Sequence, residues 1–232
     1  MANNSILCTI ISDKVKCKQC CSFEVIKNGR TKNRKQQYVC KNCKYHFIDN
    51  YTYNACKNGT NDNIAILTKE GLGIRSIARV LKISITTVLK RIVSIAIHCN
   101  PPAMKFGKAY EIDELRSFIK EKDKLIWIVY ALERETKKVV SFNVGRRTNK
   151  TLSVVTNNVI LSSPKSISTD KLINYKSLID KNLHQTTRFG TNHIERKNLT
   201  LRTHLKRLNR RTICFSRSLT ILKSVLKIYF WY

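Results

Sequence analysis

From residue 61 to residue 98 the apolar positions fall at helical spacing. Ile74, Ile77, Ala78 and Leu81 recur at i, i+3, i+4 and i+7, one face of a short helix. Ala78 is small where a second helix would cross closely. Lys82-Ile83-Ser84 interrupts the period, and Ser84 is a natural N-cap for a helix that buries Val88, Leu89 and Ile92. Ile85, Thr86, Thr87, Lys90 and Arg91 are left to face outward. Asn100-Pro-Pro-Ala103 then stops helical spacing, because paired prolines cannot continue a helix. Beyond it the pattern becomes strand-like at 109–118, 125–132 and 138–144, with a turn at Arg134-Glu-Thr-Lys137. Residues 148–161 read as a helix and 166–170 as a strand. Short runs follow at 175–179 and 183–187, then a helix around Glu195. The last twelve residues, Ile221 to Tyr232, are apolar but broken by Lys223 and Lys227. They are too short and too charged to span a bilayer and suit an amphipathic helix packed on the body.

The N-terminal segment has a different grammar. Cys17-Lys-Gln-Cys20 and Cys40-Lys-Asn-Cys43 are two C-x2-C pairs with nineteen residues between them. Two such pairs supply four thiolates to one tetrahedral zinc ion. The spacer holds two β-like runs, 23–26 and 37–39, with a turn predicted at Asn28-Gly29-Arg30, the layout of a zinc ribbon. So small a segment buries little core, so bound metal would contribute folding energy directly. Cys21 and His46 break the symmetry of the pairs and read as bystanders. Arg30 and Lys32, on a basic hairpin, are candidate phosphate contacts; the bland alternative is a solvated charged loop. Nine cysteines with this spacing argue for a reducing compartment rather than a disulfide scaffold.

The chain has 232 residues and a net charge of +29, with a hydrophobic fraction of 42% that supports a folded core. Charge of this size on a folded chain points to a polyanion, with nucleic acid ahead of an anionic membrane surface. Outward-facing Thr86, Thr87, Lys90 and Arg91 sit where a helix-turn-helix reads the major groove. From Lys181 to the end there are twelve Lys or Arg and a single acid, Glu195. A lone carboxylate in a cationic helix makes sense if the cations hold a polyanion and the carboxylate holds a metal against its phosphates. The competing reading is a capping box, with Asn192 as N-cap and Glu195 at the third helical position.

Three antiparallel strands followed by alternating helix and strand is the order of a ribonuclease H-like fold. In that order Asp113, at mid-strand, and Asp170, at a neighbouring strand end, would lie side by side, with Glu195 reaching them from a packing helix. Two Mg2+ ions there can activate a hydroxyl and stabilise the leaving oxygen of a phosphodiester. Glu111 and Glu114 are rivals to Asp113.

Over nearly its full length the chain resembles transposases of the insertion-sequence-one family. The resemblance is carried by the cysteine module from Gly29 to Phe47, the helix-turn-helix, Asp113-Glu-Leu-Arg-Ser-Phe118, residues 127–134, Gly145-Arg-Arg-Thr148 and Thr169-Asp170. It is most specific in residues 194–208 and Thr212-Ile-Cys-Phe-Ser-Arg-Ser218. It implies a multidomain chain: an N-terminal zinc ribbon (13–56), an all-α helix-turn-helix (61–98) and a C-terminal α/β ribonuclease H-like catalytic domain (106–232). It implies Asp113, Asp170 and Glu195 as a DDE triad holding Mg2+ or Mn2+, with twenty-four residues between the second and third members. It places Arg202 on the DNA backbone, with Lys206 and Arg207 beside it. The chain departs from the family at Arg116, where Trp is usual, at Glu133 for Asp, and at Lys171-Leu172 for Gly-Trp; Arg116 is near enough in sequence to pair with Asp113. The implied activity is cleavage and strand transfer at terminal inverted repeats. The partners are double-stranded element-end and target DNA and a second or further copy of the chain, with no membrane partner. The implied setting is the cytoplasm beside the nucleoid, and binding would be steeply salt-dependent. The alternatives are a decayed transposase repressing its own element and a zinc-ribbon RNA-binding protein.

Overall fold

The structure, a computed structural model, describes residues 15–48, 51–187 and 190–232. The chain divides into two compact units, Met1–Lys57 and Asn58–Tyr232. The first holds three antiparallel strands in the order β1 (Val25–Arg30), β2 (Gln36–Cys40) and β3 (His46–Ile48). Its small apolar centre is Cys17, Cys40 and Phe47, with Val15, Val25 and Tyr38 packed on it. The hairpin turn lies at Thr31–Lys35, not at Asn28-Gly-Arg30. Thr31 N donates to Lys35 O, and Arg34 takes a left-handed φ of 58°. Gly29, at φ 68°, instead serves a bulge: the four residues from Lys27 to Arg30 oppose the three from Tyr38 to Gln36. A glycine with positive φ is what such a bulge needs. The third strand, β3, carries no alternation long enough to show in sequence.

The second unit begins with α1 (Thr60–Lys69), α2 (Ile74–Leu81) and α3 (Ile85–His98). Ser84 caps α3 as expected, accepting from Thr87 N at 3.0 Å, and Lys82 makes the turn in the left-handed region at φ 52°. Ile77, Ala78, Val88 and Ile92 are buried between these helices; Leu89 is only half-buried. After an irregular stretch come β4 (Ala109–Phe118), β5 (Leu125–Glu133) and β6 (Val139–Gly145), an antiparallel meander. Helix α4 (Asn149–Ile160) returns the chain to β7 (Ser166–Thr169), which pairs in parallel with β4. The run at 175–179 is mostly a short helix, α5 (Ile173–Leu178), rather than extended chain. Strand β8 (His184–Gln185), α6 (Asn192–His204) and α7 (Leu219–Trp231) complete the unit, with sheet order β6-β5-β4-β7-β8.

Helices α4 and α5 cover one face of this sheet, where Tyr110, Ile112, Leu152, Val155, Val159 and Tyr175 form a continuous core. Helix α6 packs on β4, and α7 carries Phe230 and Trp231 against Tyr130 and Phe142 of β5 and β6. As its apolar period suggests, α7 is a packing helix, and it also contacts α1 and α3. Gly71, in the turn after α1, runs against the end of α6: a Cβ there would stand 2.0 Å from His204 O, so only glycine fits. Among the described residues no helix is long and apolar enough to cross a membrane.

Candidate active site and metal centre

Parallel pairing of β4 with β7 runs from Ala109↔Ser166 to Ile112↔Thr169 and stops there. The next residue on each strand is an aspartate, so Asp113 and Asp170 come together where β7 ends. Their carboxylates, with that of Glu114, offer oxygens that all lie within 4.8 Å of one another. Glu195 stands outside that trio in the first turn of α6, but it lines the same cleft as Asp113 and Glu114, together with Asn198, Arg202 and Arg210. No capping box forms. Glu195 Oε1 instead accepts from the hydroxyl of Thr191, the residue that precedes α6, at 2.9 Å.

A short relay holds Asp113 in place. The buried Tyr130 hydroxyl donates to Asn198 Oδ1 at 2.8 Å, and Asn198 Nδ2 donates to Asp113 Oδ2 at 2.6 Å. Burial pushes the Asp113 carboxyl up to about 6. The Glu114 backbone N–H and Asn198 oppose the shift, while the nearby Glu114 and Asp170 charges add to it. Burial also raises Glu114, against the pull of Tyr175 and Arg147. A metal-free site thus holds charge it would rather neutralise, and divalent cations supply that neutralisation. The sign for stability follows from a folded pKa above the ordinary 3.8. The folded chain binds the extra proton between about pH 4 and 6, so stability falls as pH rises through that window. Comparing metal-free wild type with Asp113→Asn by thermal denaturation, wild type is expected to lose ground to the variant from pH 4 to 6. A gap that does not change with pH would show that Asp113 is not so perturbed.

Glu111, two residues earlier on the same face, is fully buried and does a different job. It accepts from Ile194 N at 2.9 Å and from His193 Nδ1 at 2.7 Å, with Arg134 Nε at 3.5 Å. Thr191, the N-cap of α6, makes no side-chain cap of its own, so a carboxylate from β4 caps this helix across the interface. Glu111→Ala is expected to cost about 3–5 kcal/mol, because a buried N–H, the Arg134 guanidinium and the His193 ring lose their partner. Glu111→Gln, which keeps an acceptor for Ile194 N, should cost clearly less. Thermal or urea denaturation decides, and equal losses in the two variants would remove the capping role.

Arg116 does not pair with Asp113. Residues 113 and 116 differ by an odd number on one strand, so the pleat sends them to opposite faces. Arg116 is exposed and lines a second cleft with Lys122, Arg202 and Arg210, contiguous with the acidic one through the last two. Arg202 also donates to Leu208 O at 2.9 Å. Lys206 is exposed, whereas Arg207 turns inward and donates to Ser216 Oγ at 3.1 Å. On α3, Thr86 and Lys90 are exposed and Thr87 and Arg91 half-buried; Arg30 and Lys32 are exposed in the first unit.

In that unit the sulfurs of Cys17, Cys20, Cys40 and Cys43 lie within 4.8 Å of one another, with Cys17–Cys43 at 3.6 Å and Cys20–Cys40 at 3.5 Å. Four sulfurs around a tetrahedral ion at about 2.3 Å stand about 3.8 Å apart, so the donor set fits. The two loops repeat one hydrogen-bond pattern. Cys21 N donates to Cys17 O and Lys44 N to Cys40 O, while Cys17 N donates to Ser22 O and Cys40 N to Tyr45 O. The residues after each pair, Cys21 and Lys44, both adopt positive φ, at 58° and 57°. The Cys20 backbone N–H draws the Cys17 thiol down to about 6, and the Cys43 backbone likewise lowers Cys40. At Cys43 the Tyr45 N–H favours the thiolate, but burial and the neighbouring sulfurs outweigh it and push the group up to about 12. The cluster cannot become fully anionic without a cation. Cys21 and His46 lie outside it, His46 held by Asn28 at 3.2 Å.

A three-helix DNA-reading element joined to a sheet with clustered carboxylates beside a cationic cleft is the equipment of a DNA transposase. Comparison with known proteins agrees. A family model described as IS1 transposase matches residues 108–231, and one described as the InsA C-terminal domain matches residues 51–94. The chain belongs to the IS1 transposase family. It is 39% identical over 119 residues to the insertion element iso-IS1n protein InsB of Shigella dysenteriae, covering 50% of this chain and 88% of that one. It is 35% identical over 122 residues to the insertion element IS1 4 protein InsB of Escherichia coli (strain K12), covering 51% and 71%. Among solved structures, the simian T-cell lymphotropic virus intasome in complex with PP2A regulatory subunit B56 gamma matches at 14% identity and a TM-score of 0.37, over 70% of this chain and 66% of that one. That likeness is too slight to assign a fold.

Proposed function

We propose that this transposase binds the terminal inverted repeats of its element and performs metal-dependent strand cleavage and strand transfer there. The observation that carries the reading is the meeting of Asp113 and Asp170 at the end of β7, with Asp113 in a cleft that Glu195 also lines and that opens onto basic residues. The working parts follow the divisions 13–56, 61–98 and 106–232: a zinc ribbon, a helix-turn-helix and a ribonuclease H-like catalytic domain. The strand order, an antiparallel meander extended by two parallel strands, supports the last of these.

Asp113, Asp170 and Glu195 would hold Mg2+ or Mn2+. Bound there, such a cation polarises the scissile phosphate and lowers the pKa of the attacking water or 3′ hydroxyl. Tyr130 and Asn198 fix the Asp113 carboxylate, and Glu111 fixes the helix that carries Glu195. Arg202, Arg210 and Lys206, with Arg116 added by this chain's own departure from the family, would take backbone phosphates along the cleft. Arg207 supports the loop that ends at Ser216 rather than touching DNA directly. Thr86, Thr87, Lys90 and Arg91 would read base edges and phosphates of the repeat, and Arg30 and Lys32 phosphates beside it. Cys17, Cys20, Cys40 and Cys43 would hold one structural Zn2+. Joining two ends requires at least a dimer on DNA. A repressor that merely binds DNA has no use for the retained carboxylates or for the buried groups that hold them. The test is cleavage of labelled element-end DNA by the purified chain, with Mg2+ and with chelator. Binding without any Mg2+-dependent nick would return the reading to the repressor.

A further inference from the structure

Glu114 follows Asp113 on β4, so the pleat sends their side chains to opposite faces. Asp113 meets α6 through Asn198, while Glu114 meets Arg147 and lies beside Tyr175 of α5. They converge again because β7 ends opposite Ile112, leaving the edge of β4 uncovered from residue 113 onward, and both carboxylates reach around that edge toward Asp170. The Glu114 side chain is only 1% exposed. Its Oε2 is 3.4 Å from Arg147 Nη2, a long contact, and its Oε1 is buried without a well-formed hydrogen bond, beside the Tyr175 hydroxyl, which is itself buried and unpartnered among the described residues. A buried carboxylate oxygen without a partner is costly, and sites that keep one usually have a use for it. Oxygens sharing one Mg2+ lie about 3 to 4 Å apart, so the observed separations close by small side-chain rotations.

We propose that Glu114 is a further ligand of the divalent cation held at Asp113 and Asp170, so that the centre of this transposase draws carboxylates from both faces of one strand. This rests on the reading of those two aspartates as metal ligands. Arg147, whose guanidinium also stacks on Trp127 at 4.5 Å, competes for Glu114 Oε2 and holds the carboxylate in position when no cation is bound.

The test is titration of the full chain with Mn2+ alone, without DNA, following bound ion by electron paramagnetic resonance. Glu114→Gln should weaken Mn2+ binding about tenfold or more. Arg147→Gln, by freeing Oε2, should tighten it. If Glu114→Gln binds Mn2+ within about twofold of wild type while Asp170→Asn does not, Glu114 is only the partner of Arg147 and the proposal falls. Should Glu114→Gln fail to fold, the Arg147→Gln arm decides, and unchanged affinity there overturns the proposal. If Asp113→Asn and Asp170→Asn also bind normally, the reading of the aspartates is what fails, and the proposal goes with it.

Discussion

Asp113→Asn, Asp170→Asn and Glu195→Gln are each expected to lower strand cleavage of element-end DNA by about 10³-fold or more, with affinity for that DNA changed by no more than about twofold. Each swap keeps the shape of the side chain and removes its charge, so the fold and the basic cleft survive while a ligand to the cation is lost. Asp113→Asn keeps its packing against Asn198, since an amide at 113 still accepts from the Nδ2 that now lies 2.6 Å away. Residues acting on one ion work as a unit, so any pair of these changes should do little more harm than either alone. Glu195 is the most exposed of the three, and among the described residues its side chain makes one hydrogen bond, to Thr191, so its loss should leave thermal stability essentially unchanged. The measurement is a time course of nicking alongside a gel-shift titration. Cleavage persisting at a tenth of the wild-type rate in Glu195→Gln would take Glu195 out of the centre and leave Asp113, Glu114 and Asp170 as the whole of it.

How much of this was visible in the chain depends on the range of each interaction. The strand of Asp113 was legible to the residue, Ala109 to Phe118, and the placement of Asp170 beside Asp113 followed from strand order alone. The caps and turns of the helix-turn-helix were legible because Ser84 and the i, i+3, i+4 spacing are local signals. What sequence did not give was pairing across elements. Glu111 looked like a rival to Asp113, yet it serves the end of a helix more than eighty residues away, which no local pattern encodes. Arg116 looked close to Asp113 along the chain, but the pleat sends it to the other face and into the basic cleft. Glu114 was a competing candidate whose proximity to both aspartates depends on where β7 stops. The hairpin turn of the cysteine unit was misplaced because Asn28-Gly29 reads equally as a turn and as a bulge.

In that unit the second large effect is expected. Cys40→Ser should abolish the fold of the first unit, residues 15–57, and release about one equivalent of zinc per chain, while the second unit keeps its own melting transition. The unit has three short strands and an apolar centre of Cys17, Cys40 and Phe47, two of which are themselves proposed ligands. A core of that size does not offset the conformational entropy of ordering about forty residues. Zinc bound by four thiolates contributes about 10–16 kcal/mol near neutral pH in peptides of similar size, and here that energy is the fold. Cys21→Ser is the control: Cys21 is exposed, outside the cluster, and placed where its backbone rather than its sulfur matters. It should keep zinc and structure, and Cys21→Gly should if anything stabilise the unit, since glycine relieves the positive φ. Metal content by atomic emission and the dispersion of amide resonances from 15–57 check both variants. If Cys40→Ser stays folded without metal, the four sulfurs are held by packing alone. If instead wild type purified under reducing conditions carries no zinc, the two C-x2-C pairs are redox dithiols and the ribbon owes its shape to something other than an ion.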